Sequence, residues 1–369
     1  MKIGLDLRML GGGSGIDRYI TELSHEILKQ DKTNKYVLFF RNADKSANYT
    51  QYGQKIVIAN IPHYSLAEQI KLPAILKREK LDLVHFPHFN VPIFYKRPFV
   101  VTIHDLTHTL FPGRKKLHFF HRFAYRLVFA NAIRNSRRII AVSQSTKNQI
   151  IDFFSVDPHK ISVVYEGFSS TYQMTDKQEA FEQISKKFGL TKPFILYVGV
   201  WRRYKNLPML AKAFEQLRDR GHQIQLVLAG EADKNYPEIQ EQIFSIKYKQ
   251  DIKAVGRVSD ADLKLLYNAA RLFILPSLAE GFGLTSLEAA ACGVPVACSD
   301  IPTLREIMGQ GAEYFDPTNL VNMTETIDNL IKNDIRLEEL ANLGLSRSKH
   351  FSWKSAATET VAAYQEALA

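Results

Sequence analysis

Residues 280–293, EGFGLTSLEAAACG, set a glycine-rich turn and two carboxylates, Glu280 and Glu288, at the start of a short helix. The preceding run 272–277 (LFILPS) is apolar enough for a buried strand. The order is therefore strand, loop, helix N-terminus, where backbone N–H groups are open to a phosphate. Gly281 and Gly283 carry no Cβ to hold a ligand off the backbone, and Gly293 with Pro295 ends the helix. Thr285 and Glu288, three residues apart, also fit a capping box, which would explain that pair with no ligand. Glu280 is the residue a cap leaves unexplained. A carboxylate beside a phosphate turn does nothing for phosphate, but it accepts hydrogen bonds from sugar hydroxyls. A turn for phosphate with carboxylates for a polyol suggests a nucleotide sugar.

A second group of residues supplies positive charge. Lys205 lies just past another expected strand, with Arg202 and Arg203 beside it, between Gly199 and a helix opening near Pro208. Negative charge builds on a diphosphate as a sugar leaves, so fixed cations favour that transition state over the ground state. His104 and Asp105 close the run 99–103, a strand end suited to a histidine that touches a sugar. His85 and His88, in VHFPHF, are expected on the same edge, near an acceptor. Gly256, Arg257 and Val258 follow a further strand and would meet a nucleotide base through backbone groups. Gly11, Gly12, Gly13 and Gly15 follow the first strand, but Ile16 breaks the dinucleotide spacing, which disfavours a nicotinamide cofactor. They make either a turn or a loop that closes over a ligand. Asp260 and Asp262 imitate a metal-binding pair, yet Ser259 or Asp260 ahead of a periodic apolar helix reads as a cap. No metal and no cofactor are expected, since lysine and arginine do the cation's work.

The elements that must position these groups alternate in type. Strand patterns fall at 2–7, 36–40, 55–59, 81–86, 99–104, 138–143 and 161–165, then at 194–199, 225–230, 252–256, 272–276, 295–298 and 313–315, with helical patterns between them. This is an α/β chain of two doubly wound, Rossmann-like domains with parallel sheets. The polar stretch 168–192 has no strand pattern and marks the boundary, giving domains of 1–172 and 173–352 and a helical, alanine-rich segment 353–369. Ligands of such sheets sit beyond the C-terminal ends of the strands, so two of them facing each other would form a cleft.

The chain has 369 residues, two cysteines (Cys292 and Cys298, read as buried thiols in a reducing compartment) and a formal net charge of +10. Residues 1–175 hold 25 Lys or Arg against 13 Asp or Glu, so all the excess positive charge is in the first half. Residues 114–138 carry eight basic residues among aromatics, and Leu117, Phe120, Phe123, Leu127 and Ala130 recur at helical spacing. That pattern fits contact with an anionic membrane surface. Nucleic acid is disfavoured, because no RNA-recognition or helix-turn-helix signature accompanies the charge. Without a signal peptide or a long apolar run, the expected location is the cytoplasm, at the inner face of the membrane.

Segments 102–112 (TIHDLTHTLFP), 163–167 (VVYEG), 197–207 (YVGVWRRYKNL), 254–267 (AVGRVSDADLKLLY) and 280–293 resemble, in order and spacing over nearly the whole chain, the retaining glycosyltransferases of family 4. The likeness is strongest to bacterial mannosyltransferase-like members. It implies the GT-B architecture, with 353–369 returning to the first domain. It implies that Lys205 is the family's lysine, and that His104 is its histidine, positioning the sugar or stabilising charge. Tyr204 stands where the family often has arginine, so Arg202 or Arg203 takes that role. By the same resemblance Gly13 and Gly15 belong to a loop closing over the donor, Glu280 holds the sugar, and Glu288 the ribose. Gly281, Phe282, Gly283 and Leu284 complete the donor site, with the N–H groups of Gly283 and Leu284 on the phosphate. The implied reaction is front-side transfer of mannose from GDP-mannose to a lipid-linked saccharide in polysaccharide synthesis. A UDP- or dTDP-sugar donor stays open, as do an epimerase, which would convert donor without acceptor, and a non-catalytic binder, which would neither transfer nor hydrolyse.

Overall fold

The structure is a computed structural model that describes residues 1–11, 15–107 and 119–369, with 119–124 given by backbone alone. Gly12 and Gly13, and residues 114–118 of the basic segment, lie outside the described residues. The chain divides into two compact units, unit 1 comprising Met1–Gly167 and Ser352–Ala369, and unit 2 comprising Phe168–Phe351.

Unit 1 is built on seven strands, all paired in parallel: β1 (Lys2–Asp6), β2 (Lys35–Phe40), β3 (Lys55–Ile58), β4 (Leu83–Phe86), β5 (Phe99–Ile103), β6 (Arg138–Ala141) and β7 (Ile161–Val163). Their order is β3-β2-β1-β4-β5-β6-β7, so the winding reverses between β1 and β4. Every residue of β4 and β5 is buried, as expected of strands covered by helices on both faces. Helix Phe119–Asn135 buries Phe129, Ala132 and Ile133 against this sheet, while Leu127 stays 46% exposed beside exposed Arg126. The apolar side expected from the sequence included Leu127. The helix instead turns residues 125, 128, 129, 132 and 133 inward, because these meet the core formed by β4, β5 and β6.

The C-terminal helix Trp353–Glu366 belongs to unit 1 and packs on helix Gly15–Gln30. A buried hydrogen-bonded chain fixes it: the Tyr364 hydroxyl meets His85 Nδ1 at 2.7 Å, His85 Nε2 meets Thr102 Oγ1 at 2.8 Å, and Thr102 meets the Tyr19 hydroxyl at 3.1 Å. Burial pushes the His85 imidazole down to about 3, so the ring is neutral and one nitrogen donates while the other accepts. His85 is therefore a core residue of unit 1; facing inward from the centre of the sheet, it is withdrawn from the acceptor edge where the sequence placed it. A second buried network lies at the end of β1, where Arg8 bonds Asp6 at 2.8 Å and Glu68 at 2.9 Å and Glu68 also accepts from Asn90 at 2.9 Å. These charges tie helix Leu66–Arg78 to the edge of the sheet.

Unit 2 has six parallel strands: β8 (Phe194–Val198), β9 (Gln225–Ala229), β10 (Ile252–Gly256), β11 (Leu272–Leu275), β12 (Val296–Ser299) and β13 (Glu313–Phe315). The order β10-β9-β8-β11-β12-β13 reverses between β8 and β11. Each unit is thus Rossmann-like, and each reversal marks where the loops at the C-terminal ends of the strands part and leave room for a ligand. At this edge of unit 2 three loops run close together. The Gly199 amide donates to Ala229 at 2.9 Å and the Gly230 amide to Gly256 at 2.7 Å.

Candidate functional site

In unit 2 the loops after β8 and β11 flank the reversal point. The Leu278 amide donates to the Tyr204 carbonyl at 2.7 Å, which stitches the two loops together. The result is direct contact between two residues distant in sequence: Lys205 Nζ donates to Glu280 Oε1 at 2.6 Å. Both side chains are largely buried, at 17% and 11% exposed. Burial draws the Lys205 ammonium down, but the Glu280 charge and hydrogen bond outweigh it and leave its pKa raised, so the cation is permanent at any physiological pH. Helix Pro302–Met308 steadies the arrangement through the Thr303 hydroxyl, which donates to the Glu280 carbonyl at 2.9 Å.

Three residues beyond Glu280 the chain turns into helix Leu284–Ala291, whose N-cap is Gly283 in the left-handed region at φ 90°. A glycine has no side chain with which to cap. Thr285 lies inside the helix, and the Glu288 carboxylate accepts from the Tyr267 hydroxyl at 3.1 Å, so a capping box does not account for these residues. The first amides of a helix have no intrahelical acceptor, and here they follow directly on the Lys205–Glu280 pair. An alanine at Gly283 would place its Cβ 2.6 Å from Leu304 Cδ2 and hold an unfavourable φ. Gly283→Ala is expected to destabilise unit 2 by about 1–3 kcal/mol, read as a lower thermal midpoint; an unchanged midpoint would show the turn to be unstrained.

The remaining unit 2 candidates are spread around this edge. Arg202 bonds Asp233 at 3.1 Å and Arg203 bonds Glu238 at 2.9 Å while lying over the Tyr236 ring. Of the two, Arg203 is the more exposed, at 58% against 37%. Gly256 ends β10 with φ 66°, followed by Arg257 and Val258. Phe282 is buried, 4% exposed, with its ring edge-on to Phe351 at 5.8 Å, so its side chain belongs to the core behind the turn. Glu288 is wholly buried. The Asp260–Asp262 pair is taken up locally: the Ser259 hydroxyl caps the helix at the Asp262 amide, Asp262 bonds Lys187 at 2.7 Å and Asp260 accepts from Tyr172 at 2.9 Å.

Unit 1 presents its own polar group at the C-terminal ends of β4 and β5. His104 directs Nε2 at the Pro87 carbonyl, 2.9 Å away, and Nδ1 at Glu166 Oε1, 3.3 Å away. The Tyr19 ring stands perpendicular to it at 4.5 Å, and the His88 ring lies 6.5 Å off. Gly15 opens helix Gly15–Gln30, and a Cβ added there would meet nothing within 4 Å among the described residues. Sequence reasoning missed Glu166, whose only signal was an acidic residue in VVYEG; it also missed Thr303 and the Tyr204–Leu278 link, which carry no signal by residue type.

Two sequence families match this chain, one described as Glycosyltransferase Family 4 over residues 13–171 and one as Glycosyl transferases group 1 over residues 178–347. The chain belongs to glycosyltransferase family 4. This family 4 enzyme is similar to O-antigen chain mannosyltransferase B of Escherichia coli, with 29% identity over 307 residues, covering 83% of this chain and 80% of the relative. Its fold is similar to that of sucrose-phosphate synthase from Thermosynechococcus elongatus, with a TM-score of 0.80 at 17% identity, covering 99% and 98% of the two chains. HepE from Anabaena, solved in complex with UDP-glucose, gives a TM-score of 0.79 at 18% identity, covering 99% of each chain. The family 4 enzyme is thus a glycosyltransferase of GT-B fold.

Proposed function

We propose that the protein is a retaining, metal-independent mannosyltransferase that takes GDP-mannose and extends a lipid-linked saccharide in cell-surface polysaccharide synthesis. The observation that carries this reading is the Lys205–Glu280 contact at 2.6 Å beside the glycine-capped helix start. In one small volume it offers a cation and amides for a diphosphate, with a carboxylate for sugar hydroxyls. When donor binds, Lys205 turns from Glu280 to the diphosphate, and Glu280, freed of its partner, accepts from the sugar. The N–H groups of Gly283 and Leu284 complete the anion site, Glu288 accepts from the ribose alongside Tyr267, and Gly256, Arg257 and Val258 line the base. Of the two arginines, each paired with a carboxylate, Arg202 serves the diphosphate: it is the less exposed, and Arg203 also lies over the Tyr236 ring. The choice of mannose rests on the O-antigen mannosyltransferase relative.

Membrane contact is part of the same proposal. Unit 1 exposes Leu127 with Arg126 and Arg134, and separately Leu66, Ile70 and Phe94 with Lys71, Lys96 and Arg97. Apolar side chains amid basic ones suit an anionic lipid surface. Among the described residues no helix is long and apolar enough to cross a membrane.

A thermal-shift comparison of GDP-mannose, UDP-glucose and a dTDP-sugar tests the donor. GDP-mannose at 100 times its Kd is expected to add about 2.7 kcal/mol of stability, with the others adding far less. A larger shift with either of the others replaces the mannose reading with that sugar nucleotide.

A further inference from the structure

Each ring nitrogen of His104 faces an acceptor oxygen. A backbone carbonyl only accepts, so Nε2, facing Pro87 at 2.9 Å, carries a proton. An ionised carboxylate also only accepts, so Nδ1, facing Glu166 at 3.3 Å, carries one too. Glu166 is 6% exposed and His104 14% exposed in its side chain, so each depends on the other for compensation of its charge. The other groups around the ring leave this assignment standing: His85 is neutral, Tyr19 presents its ring at 4.5 Å, Asp105 is the next residue, and the His88 ring lies at 6.5 Å.

We propose that Glu166 is a positioning residue that keeps His104 doubly protonated, so that the end of β5 presents a fixed imidazolium to the transfer reaction in place of a base. The proposal rests on the reading of His104 as part of the transfer site and names the residue that sets its charge. A ring with both nitrogens occupied has no lone pair with which to take a proton from an acceptor hydroxyl. It offers instead a positive charge held at one position at the end of β5, able to favour negative charge that develops during transfer. The stability consequence has a definite sign. Burial draws the His104 pKa down, but Glu166 and the Pro87 carbonyl raise it overall. The pair's contribution to folding is therefore complete below the unfolded imidazole value of about 6.5 and is lost as pH rises through the folded value.

The test uses the full-length protein labelled with 15N-histidine, with His104→Asn to assign the ring signals and long-range proton–nitrogen spectra recorded across pH. Both His104 nitrogens are expected to stay protonated through neutral pH in the parent protein. In Glu166→Gln the ring should titrate about one unit or more lower, and Glu166→Asp should restore part of that shift. An unprotonated Nδ1 in the parent at pH 7, or an identical titration in Glu166→Gln, would overturn the proposal. The second reading is transfer rate against pH. The kcat of Glu166→Gln should begin to fall about one unit lower in pH than that of the parent, reaching roughly a tenfold deficit on the alkaline side with donor KM little changed. A shifted titration with an unchanged kcat profile would sever the charge from transfer. The spectra stand whatever the donor proves to be, so failure of the mannosyltransferase reading leaves that arm intact.

Discussion

Lys205→Ala is expected to lower kcat for sugar transfer by about 10²–10³ while the protein remains folded. Before donor arrives the lysine already has a partner. Its ammonium is held by Glu280 at 2.6 Å, largely out of water, so in the proposed site it turns to the diphosphate without a full solvent shell to strip at the moment of reaction. Alanine removes that cation and leaves the Glu280 carboxylate next to the helix start that should receive phosphate, so donor affinity falls as well. Glu280→Gln tested alone and in combination separates the two effects. The double variant should bind donor better than Lys205→Ala, because the exposed repulsion has gone, yet transfer no faster. Such non-additivity is expected only of groups in contact. Steady-state rates and donor titration for the four proteins decide the matter, and a Lys205→Ala enzyme within about threefold of the parent would remove Lys205 from the chemistry.

Gly230→Ala is the largest stability effect expected. The added Cβ would lie 2.1 Å from the Gly199 carbonyl oxygen, and Gly230 holds φ at 129°, a backbone conformation that alanine avoids. The obstacle is backbone on both sides: the Gly199 amide is tied to Ala229, and the Gly230 amide to Gly256. No side chain can swing aside, so relief requires parting the ends of β8, β9 and β10. The expected cost is roughly 3–5 kcal/mol, on the scale of the most damaging single substitutions. It should appear as a fall of about 6–20 °C in the unfolding midpoint. A midpoint within two degrees of the parent would mean that the three loops are looser than their hydrogen bonds imply. Damage here would also carry to Gly256 and its neighbours, which the proposed function assigns to the base.

Much of this was legible from the residues. The expected strands all appear, because strands covered on both faces are written as short, nearly unbroken apolar runs such as FVVTI and LFIL. The meeting of Lys205 with Glu280 was only half legible. The sequence marks both residues, but their contact depends on the Tyr204 carbonyl and the Leu278 amide, and a backbone group has no signature in residue type. The side chain of Phe282 was not legible for a related reason: within a glycine-rich turn an aromatic side chain can face ligand or core, and Phe351, far along the chain, decides for the core. His85 and His104 read alike as histidines at strand ends. Tyr364 claims one for the interior, whereas Glu166 holds the other at the sheet edge. The face of helix Phe119–Asn135 was set by which residues the sheet could accept, and periodicity within a segment that is apolar on more than one side does not choose among them.

The return of helix Trp353–Glu366 to unit 1 bears on how the chain comes into being. Unit 2 holds all its residues once Phe351 has been made, whereas unit 1 still lacks Tyr364, the fully buried partner of His85. During synthesis the usual precedence of the N-terminal domain is reversed in its last step. The first unit begun is the last one sealed, and until Trp353–Glu366 has been made it carries an open seam beside His85 and Tyr19.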